Sequence, residues 1–191
     1  MKTLIIYAHP QTKGHCSFAL SEVKKSLAEN KQEHEVIDLY KIKYDSVLHE
    51  DELFTANKHA ASTLTKSLQN KITAAENLIF IYPNWWSGPP AILKGFFDKI
   101  FVPRFAYKFV NERPVKLLTG KKAAVIITQG SPEFVTKFIM QNRGTKVITQ
   151  DTLGFCGIKS KSFIIDGCFE FNEKQEEKIK KKVKDAVKYL Y

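Results

Sequence analysis

Apolar positions along the chain follow two rhythms: short unbroken runs, and longer stretches in which polar residues interrupt them at helical spacing. Residues 3–8, 78–82 and 123–128 are nearly continuous in aliphatic and aromatic side chains, the pattern of strands covered on both faces of a parallel sheet. Residues 35–39 and 162–165 read as two further strands. Residues 17–28, 62–75, 90–101, 144–155 and 173–190 read as helices, the last with Ile179, Val183, Ala186, Val187 and Leu190 along one face. Residues 40–61 have mixed polarity and few stop signals and read as an insertion with a short helix. Strands alternating with helices predict an α/β fold: a five-stranded parallel sheet, helices on both faces, right-handed crossovers. No repeat or linker divides residues 1–191, so a single domain is expected, long enough to bury roughly 70% of its unfolded surface.

In such sheets ligands bind beyond the carboxyl ends of the strands. That rule gathers loops 9–17, 83–89 and 128–134. The first lacks G-x-G-x-x-G and G-x-x-x-x-G-K-[ST], which argues against a dinucleotide fingerprint and a P-loop. It does place Thr12 and Ser17 before a helix, whose free N–H groups suit a phosphate, with Lys13 or His15 adding charge. An ordinary helix capped near Ser17 fits these residues equally well, and His9 fits a turn residue bonded to backbone. No second ligand stands at metal spacing from His9, so no metal is expected.

The second loop carries Trp85 and Trp86 between an apolar strand and Pro90, which suits a first helical turn. The two indoles either plug the core or form a wall for a planar ligand. The N–H groups from Asn84 to Ser87 beside that wall suit an isoalloxazine ring, and Thr128, Gln129, Gly130 and Ser131 bring a close-approaching backbone to the same rim. Three such loops at adjacent strand ends point to a flavin mononucleotide site.

Charge changes this picture little. The formal net charge is +10, but much of it is the solvated face of the terminal helix, and no nucleic-acid motif accompanies it. Positive potential would instead speed capture of an anionic dinucleotide. Three cysteines, Cys16, Cys156 and Cys168, have neither disulfide nor zinc spacing. The N-terminal apolar run is too short for a signal or a span, so a cytoplasmic location without membrane insertion is expected.

The sequence resembles the flavodoxin-like NAD(P)H:quinone oxidoreductases, the family that includes DT-diaphorase, modulator of drug activity B and the potassium-efflux ancillary flavoproteins. The resemblance rests on Tyr7-Ala8-His9-Pro10 with Ser17-Phe18, on Tyr82-Pro83-Asn84-Trp85-Trp86 through Pro90 to Phe101, on Phe105-Ala106-Tyr107, and on Cys156-Gly157. It implies a flavodoxin-like three-layer sandwich with sheet order 2-1-3-4-5. It further implies FMN, with FAD as the alternative, held by His9, Thr12, His15, Cys16, Ser17, Phe18, Pro83, Asn84, Trp85, Trp86, Ser87, Thr128, Gln129, Gly130 and Ser131. NAD(P)H would supply a hydride and a quinone or similar acceptor would take it, in a homodimer whose acceptor pocket involves Phe105, Tyr107 and Phe134. The chain departs from many relatives at Arg104, Gln129 and Ser131. Between Ser131 and Gly144 it lacks the Tyr and His of larger animal members, so no catalytic acid carries over; it also lacks their C-terminal extension, which favours FMN. The alternatives are a flavodoxin-type electron carrier, against which the basic charge argues, and a regulatory subunit docking on a membrane transporter.

Overall fold

The Thr-Leu-Ile-Ile-Tyr run forms β1 (Thr3–Tyr7), buried at every position, and leads into α1 (His15–Glu29) and β2 (His34–Asp38). The computed structural model describes residues 2–53 and 61–191. Next come α2 (Thr63–Ala74), β3 (Asn77–Pro83), α3 (Ala91–Ile100), a hairpin of β4 (Tyr107–Val110) and β5 (Arg113–Lys116), and β6 (Lys122–Thr128). A short helix α4 (Arg143–Lys146), β7 (Lys159–Ile165) and the long α5 (Glu173–Leu190) complete the chain. The sheet order is β2-β1-β3-β6-β7, all parallel, which is the order expected once the hairpin is set aside.

Successive residues of a strand face opposite ways, and the core divides accordingly. Leu4, Ile6, Leu78 and Phe80 pack with Leu93, Phe96 and Phe97 of α3, while Ile5, Tyr7, Ile79 and Ile81 pack with Val23 and Leu27 of α1 and Val183 of α5. Register then aligns the strand ends. Tyr7 pairs with Ile81, and two residues on, Pro83, Thr128 and Ile165 lie level. The loops that follow β1, β3, β6 and β7 therefore leave the sheet on one rim.

The structure corrects several local expectations. Helix α1 begins at His15, with Gly14 rather than Ser17 at its cap; Gly14 has φ 108°, a conformation suited to glycine. Ser17 lies within the first turn and its hydroxyl donates to the Gly14 carbonyl at 2.9 Å. β7 starts three residues before the expected strand. Residues 144–155 do not form one α-helix: after α4 the backbone widens into π-helical turns over Val147–Gly154. Threonines explain part of this, since Thr149 donates to the Thr145 carbonyl and Thr152 to the Val147 carbonyl five residues back, both at 2.8 Å.

The weakly patterned insertion is held against α3 by Tyr44, which packs on Phe96 with ring centroids 5.8 Å apart, by Lys99 and by the close approach at Gly95. Lys99, 8% exposed, donates to the Val47 carbonyl at 2.9 Å and meets Glu52 at 2.8 Å. A short 3-10 turn spans Glu50–Glu52, and residues 54–60 of the expected insertion lie outside the described residues. Gly95 lets this segment approach: a Cβ there would lie 2.0 Å from the Ser46 carbonyl oxygen. Gly95→Ala is accordingly expected to destabilise the fold by about 1–3 kcal/mol, as overpacking does. A lowered urea midpoint at unchanged m-value would show it, and an unchanged midpoint would contradict it.

Candidate functional site

Three of the four loops on the carboxyl rim are tied by backbone bonds before any ligand is considered. Asn84 N–H donates to the Thr128 carbonyl at 2.8 Å, Gln129 N–H to Ile165 at 2.9 Å, and Cys168 N–H to Gln129 at 3.0 Å. Together with the loop after β1 they enclose a pocket of about 300 Å³. Nine of the residues expected at a flavin site line it: His9, His15, Cys16, Pro83, Asn84, Trp85, Thr128, Gln129 and Gly130.

One end of this pocket is an open helix terminus. No side chain caps α1, so the N–H groups of its first turn remain free, with the positive end of the helix dipole behind them. That combination fits a phosphate. The His9 Nδ1 accepts the Gln11 N–H at 3.0 Å, which leaves Nε2 to carry the proton of a neutral ring. Burial lowers the His15 pKa against a smaller opposing effect of its bond to the Glu170 carbonyl. The unfolded chain therefore binds this proton first as pH falls, and the histidine's contribution to stability is lost from its ordinary value of 6.5 downward. His15→Asn is expected to lessen the drop in urea midpoint between pH 7.5 and 5.5; an equal drop in both proteins would contradict this.

The other end is a buried amide network. Gln129, 4% exposed, accepts from Asn84 Nδ2 at 3.1 Å and donates through Nε2 to the Ser131 carbonyl at 2.8 Å and Thr136 Oγ1 at 2.6 Å. The orientation fixed in this way leaves Asn84 Oδ1 as an acceptor without a hydrogen-bond partner among the described residues. Beneath it Cys16 Sγ and Thr128 Oγ1 lie 3.1 Å apart, joining the start of α1 to the end of β6. Burial pushes the Cys16 thiol up to about 12, so it packs as a neutral group and is no nucleophile.

The remaining expected residues lie elsewhere. Thr12 and Ser17 line an adjoining cavity, Phe18 packs against Phe171 with ring centroids 5.4 Å apart, and Ser131 is exposed. Tyr107 lines a separate cavity with Phe155 and Cys156, Phe105 packs on the core, and Phe134 is exposed. The two tryptophans do not plug the core. Trp85 is 45% exposed and its ring sits 6.1 Å from that of His9, while Trp86 is fully exposed.

Trp86 and Ser87 have φ values of 52° and 60°, and Trp85 and Gly88 exchange backbone hydrogen bonds at 3.0 Å. This is a two-residue turn whose central positions favour Asn and Gly. Trp86→Gly is therefore expected to leave stability unchanged or raise it by up to about 1 kcal/mol, since the left-handed cost at this position vanishes. A loss of stability on thermal unfolding would contradict that reading.

The loop after β7 escaped the sequence reading, yet Cys168 and Phe169 line the pocket, as do Gln11, Lys13 and Gly14. The strand-end rule, applied to the fifth strand as well, would have found them. Among the described residues Asp45, His49 and Glu52 also come within metal-binding distance of one another, and the Lys99 ammonium already supplies a cation to Asp45 and Glu52.

Parallel order, open helix terminus and strand-end loops define a flavodoxin-type nucleotide-binding architecture. The chain belongs to the family of flavodoxin-like fold, whose model matches residues 1–190. It is 30% identical over 169 residues to an uncharacterized NAD(P)H oxidoreductase of Haemophilus influenzae, covering 87% of this chain and 84% of that one. It is also 30% identical over 200 residues to FMN-dependent NADH:quinone oxidoreductase 2 of Clostridium perfringens, covering 98% and 99%. The NAD(P)H:quinone oxidoreductase of Methanothermobacter marburgensis superposes with a TM-score of 0.85 at 25% identity, covering 100% and 99%. Two longer relatives are spanned over only 58% and 65% of their length.

Proposed function

We propose that this protein is an FMN-dependent NAD(P)H oxidoreductase that reduces quinones or related electrophiles by two-electron transfer. The observation that carries the reading is the pocket with a phosphate-binding helix terminus at one end and a fixed amide network at the other. When bound, the flavin would supply the redox chemistry between a nicotinamide and the acceptor. The first turn of α1 would hold its phosphate, with His9 offering a donor beside it. Asn84 and the backbone of loops 84–87 and 128–131 would offer hydrogen bonds to the polar part of the ring, and Trp85 an apolar wall. Cys16 and Thr128 close the floor against water.

Trp86, Phe134, Phe138 and Ile139 are exposed on the segments that follow β3 and β6. Exposed large apolar side chains of this kind suit burial by a second copy, so the enzyme acts as a homodimer with its acceptor pocket completed at the interface. Among the described residues no helix is long and apolar enough to cross a membrane. The test is anaerobic mixing of the flavin-loaded protein with NADH and with NADPH, followed by a quinone. Bleaching at flavin wavelengths and recovery on adding quinone are expected, and an unbleached spectrum with both nucleotides would overturn the reading.

A further inference from the structure

The largest cavity in the described residues, about 670 Å³, is not the flavin pocket but a neighbour that shares only His9 and Gln11 with it. The shared residues stand at the phosphate end. Hydride donor and acceptor both need the ring, so the activity proposed above leaves this space without an occupant. We propose that it is a regulatory site for a planar aromatic carboxylate, whose binding tightens the grip on flavin through the segment 9–11. The coupling half of this inference rests on the flavin reading; the site itself does not.

The walls are built before any ligand arrives. Ser17, Leu20, Ser21 and Lys24 recur at helical spacing and give the cavity one face of α1. The turn after β2 gives a second: Asp38 Oδ1 accepts the N–H groups of Tyr40 and Lys41, each at 3.1 Å, and so fixes the backbone of both. Pro10, Leu20, Tyr7 and Tyr40 make much of the lining apolar, which suits a flat ring of one or two cycles.

Charge selects the substituent on that ring. Lys24 and Lys41 line the cavity, and neither ammonium has an ion-pair partner among the described residues, although Lys71 and Lys178 do. Against the single carboxylate of Asp38 they leave one positive charge in excess, which matches a monoanion better than a neutral quinone. Coupling follows from the shared segment. The Tyr7 hydroxyl donates to the Gln11 carbonyl at 3.4 Å, and His9 Nδ1 accepts the Gln11 N–H at 3.0 Å, so the turn rests on a residue that lines this cavity. A ligand packed against Tyr7 and Pro10 restrains the turn in advance, and flavin then loses less conformational freedom on binding. The linkage is reciprocal.

The test titrates flavin-free protein with 1-naphthoate, and then with FMN at zero and at saturating naphthoate. Naphthoate is expected to bind, uncharged 1-naphthamide to bind more weakly, and FMN to bind about fivefold more tightly when naphthoate is present. Lys24→Gln/Lys41→Gln is expected to weaken naphthoate about tenfold, as lost charge-assisted contacts predict. Ser21→Trp sets an indole into the lining from an exposed position of α1 and is expected to abolish naphthoate binding and the coupling together. The coupling is a ratio of FMN affinities within one protein, so any change in basal affinity divides out. Naphthoate that fails to bind, competes with FMN, binds either variant as tightly as the wild type, binds no better than naphthamide, or leaves FMN affinity unchanged would overturn the assignment. Failure of FMN to bind under any condition would instead remove the flavin reading and the coupling with it, while the naphthoate titration of flavin-free protein would still decide the site.

Discussion

Gly144→Ala is expected to strip the protein of its flavin affinity more than any change to an exposed residue. A Cβ at Gly144 would lie 2.0 Å from the Ser87 carbonyl oxygen and 2.6 Å from its carbon. Those are backbone atoms of the Trp85–Gly88 turn, which two internal hydrogen bonds hold rigid, so the turn must move as a unit. Overpacking against backbone costs about 1–3 kcal/mol, and displacement of this size translates into about tenfold or greater weakening of FMN binding. Gly88→Ala is the control on the same turn: a Cβ there meets only the Trp85 carbonyl at an ordinary 3.8 Å. Fluorescence titration with FMN should separate the two variants. Equal affinities would show that α4 does not set the position of the ring-binding loop.

Gln129→Leu is expected to be the most damaging polar-to-apolar change at the site. The leucine fits a buried position but leaves Thr136 Oγ1, on a residue 4% exposed, and the Ser131 carbonyl without their donor, and frees Asn84 to rotate. Each buried group left unpaired costs about 1–3 kcal/mol, so a loss of roughly 2–4 kcal/mol in stability is expected, with weaker flavin retention. Adding Thr136→Val removes the orphaned hydroxyl, and the double variant should regain part of the stability without regaining flavin affinity. Additive losses in the cycle would mean that the two side chains do not act as a pair.

The elements that position the site were legible because they are buried. Residues 3–8, 78–82 and 123–128 could be read as strands from unbroken apolar runs, the rim followed from the parallel topology that alternation implies, and the sheet order came only with the family resemblance. What escaped is what water covers. Every residue of β5 is exposed, and β4 is nearly so, so neither shows the alternation of a half-buried strand; their turn puts Asn111 and Glu112 at φ 49° and 61°, and only the asparagine announces it. The insertion at 40–53 is held by the buried Tyr44, by Lys99 and by a missing side chain at Gly95, and none of these has a periodic signature. Trp86 shows the opposite limit: residue type left a core plug and a ligand wall both open, and the left-handed turn carries the indole outward.

The chemistry divided similarly. His9, Asn84 and Gln129 sit where the strand-end rule put them, since each follows an apolar strand directly. Cys168 and Phe169 also follow a strand, but no aromatic pair or hydroxyl run drew attention to them. The bond that Asn84 donates to Gln129 joins positions 45 apart in sequence and becomes visible only with the register of β3 against β6.

The central claim is that four strand-end loops build one flavin pocket that grips a phosphate at the start of α1. Titration of flavin-free protein with FMN and with riboflavin, followed by flavin fluorescence and visible absorption, tests it most directly. The account predicts a perturbed flavin spectrum at saturation, one FMN per chain, and distinctly weaker binding of phosphate-free riboflavin. Protein that leaves both spectra unperturbed, or that binds riboflavin as tightly as FMN, would contradict it.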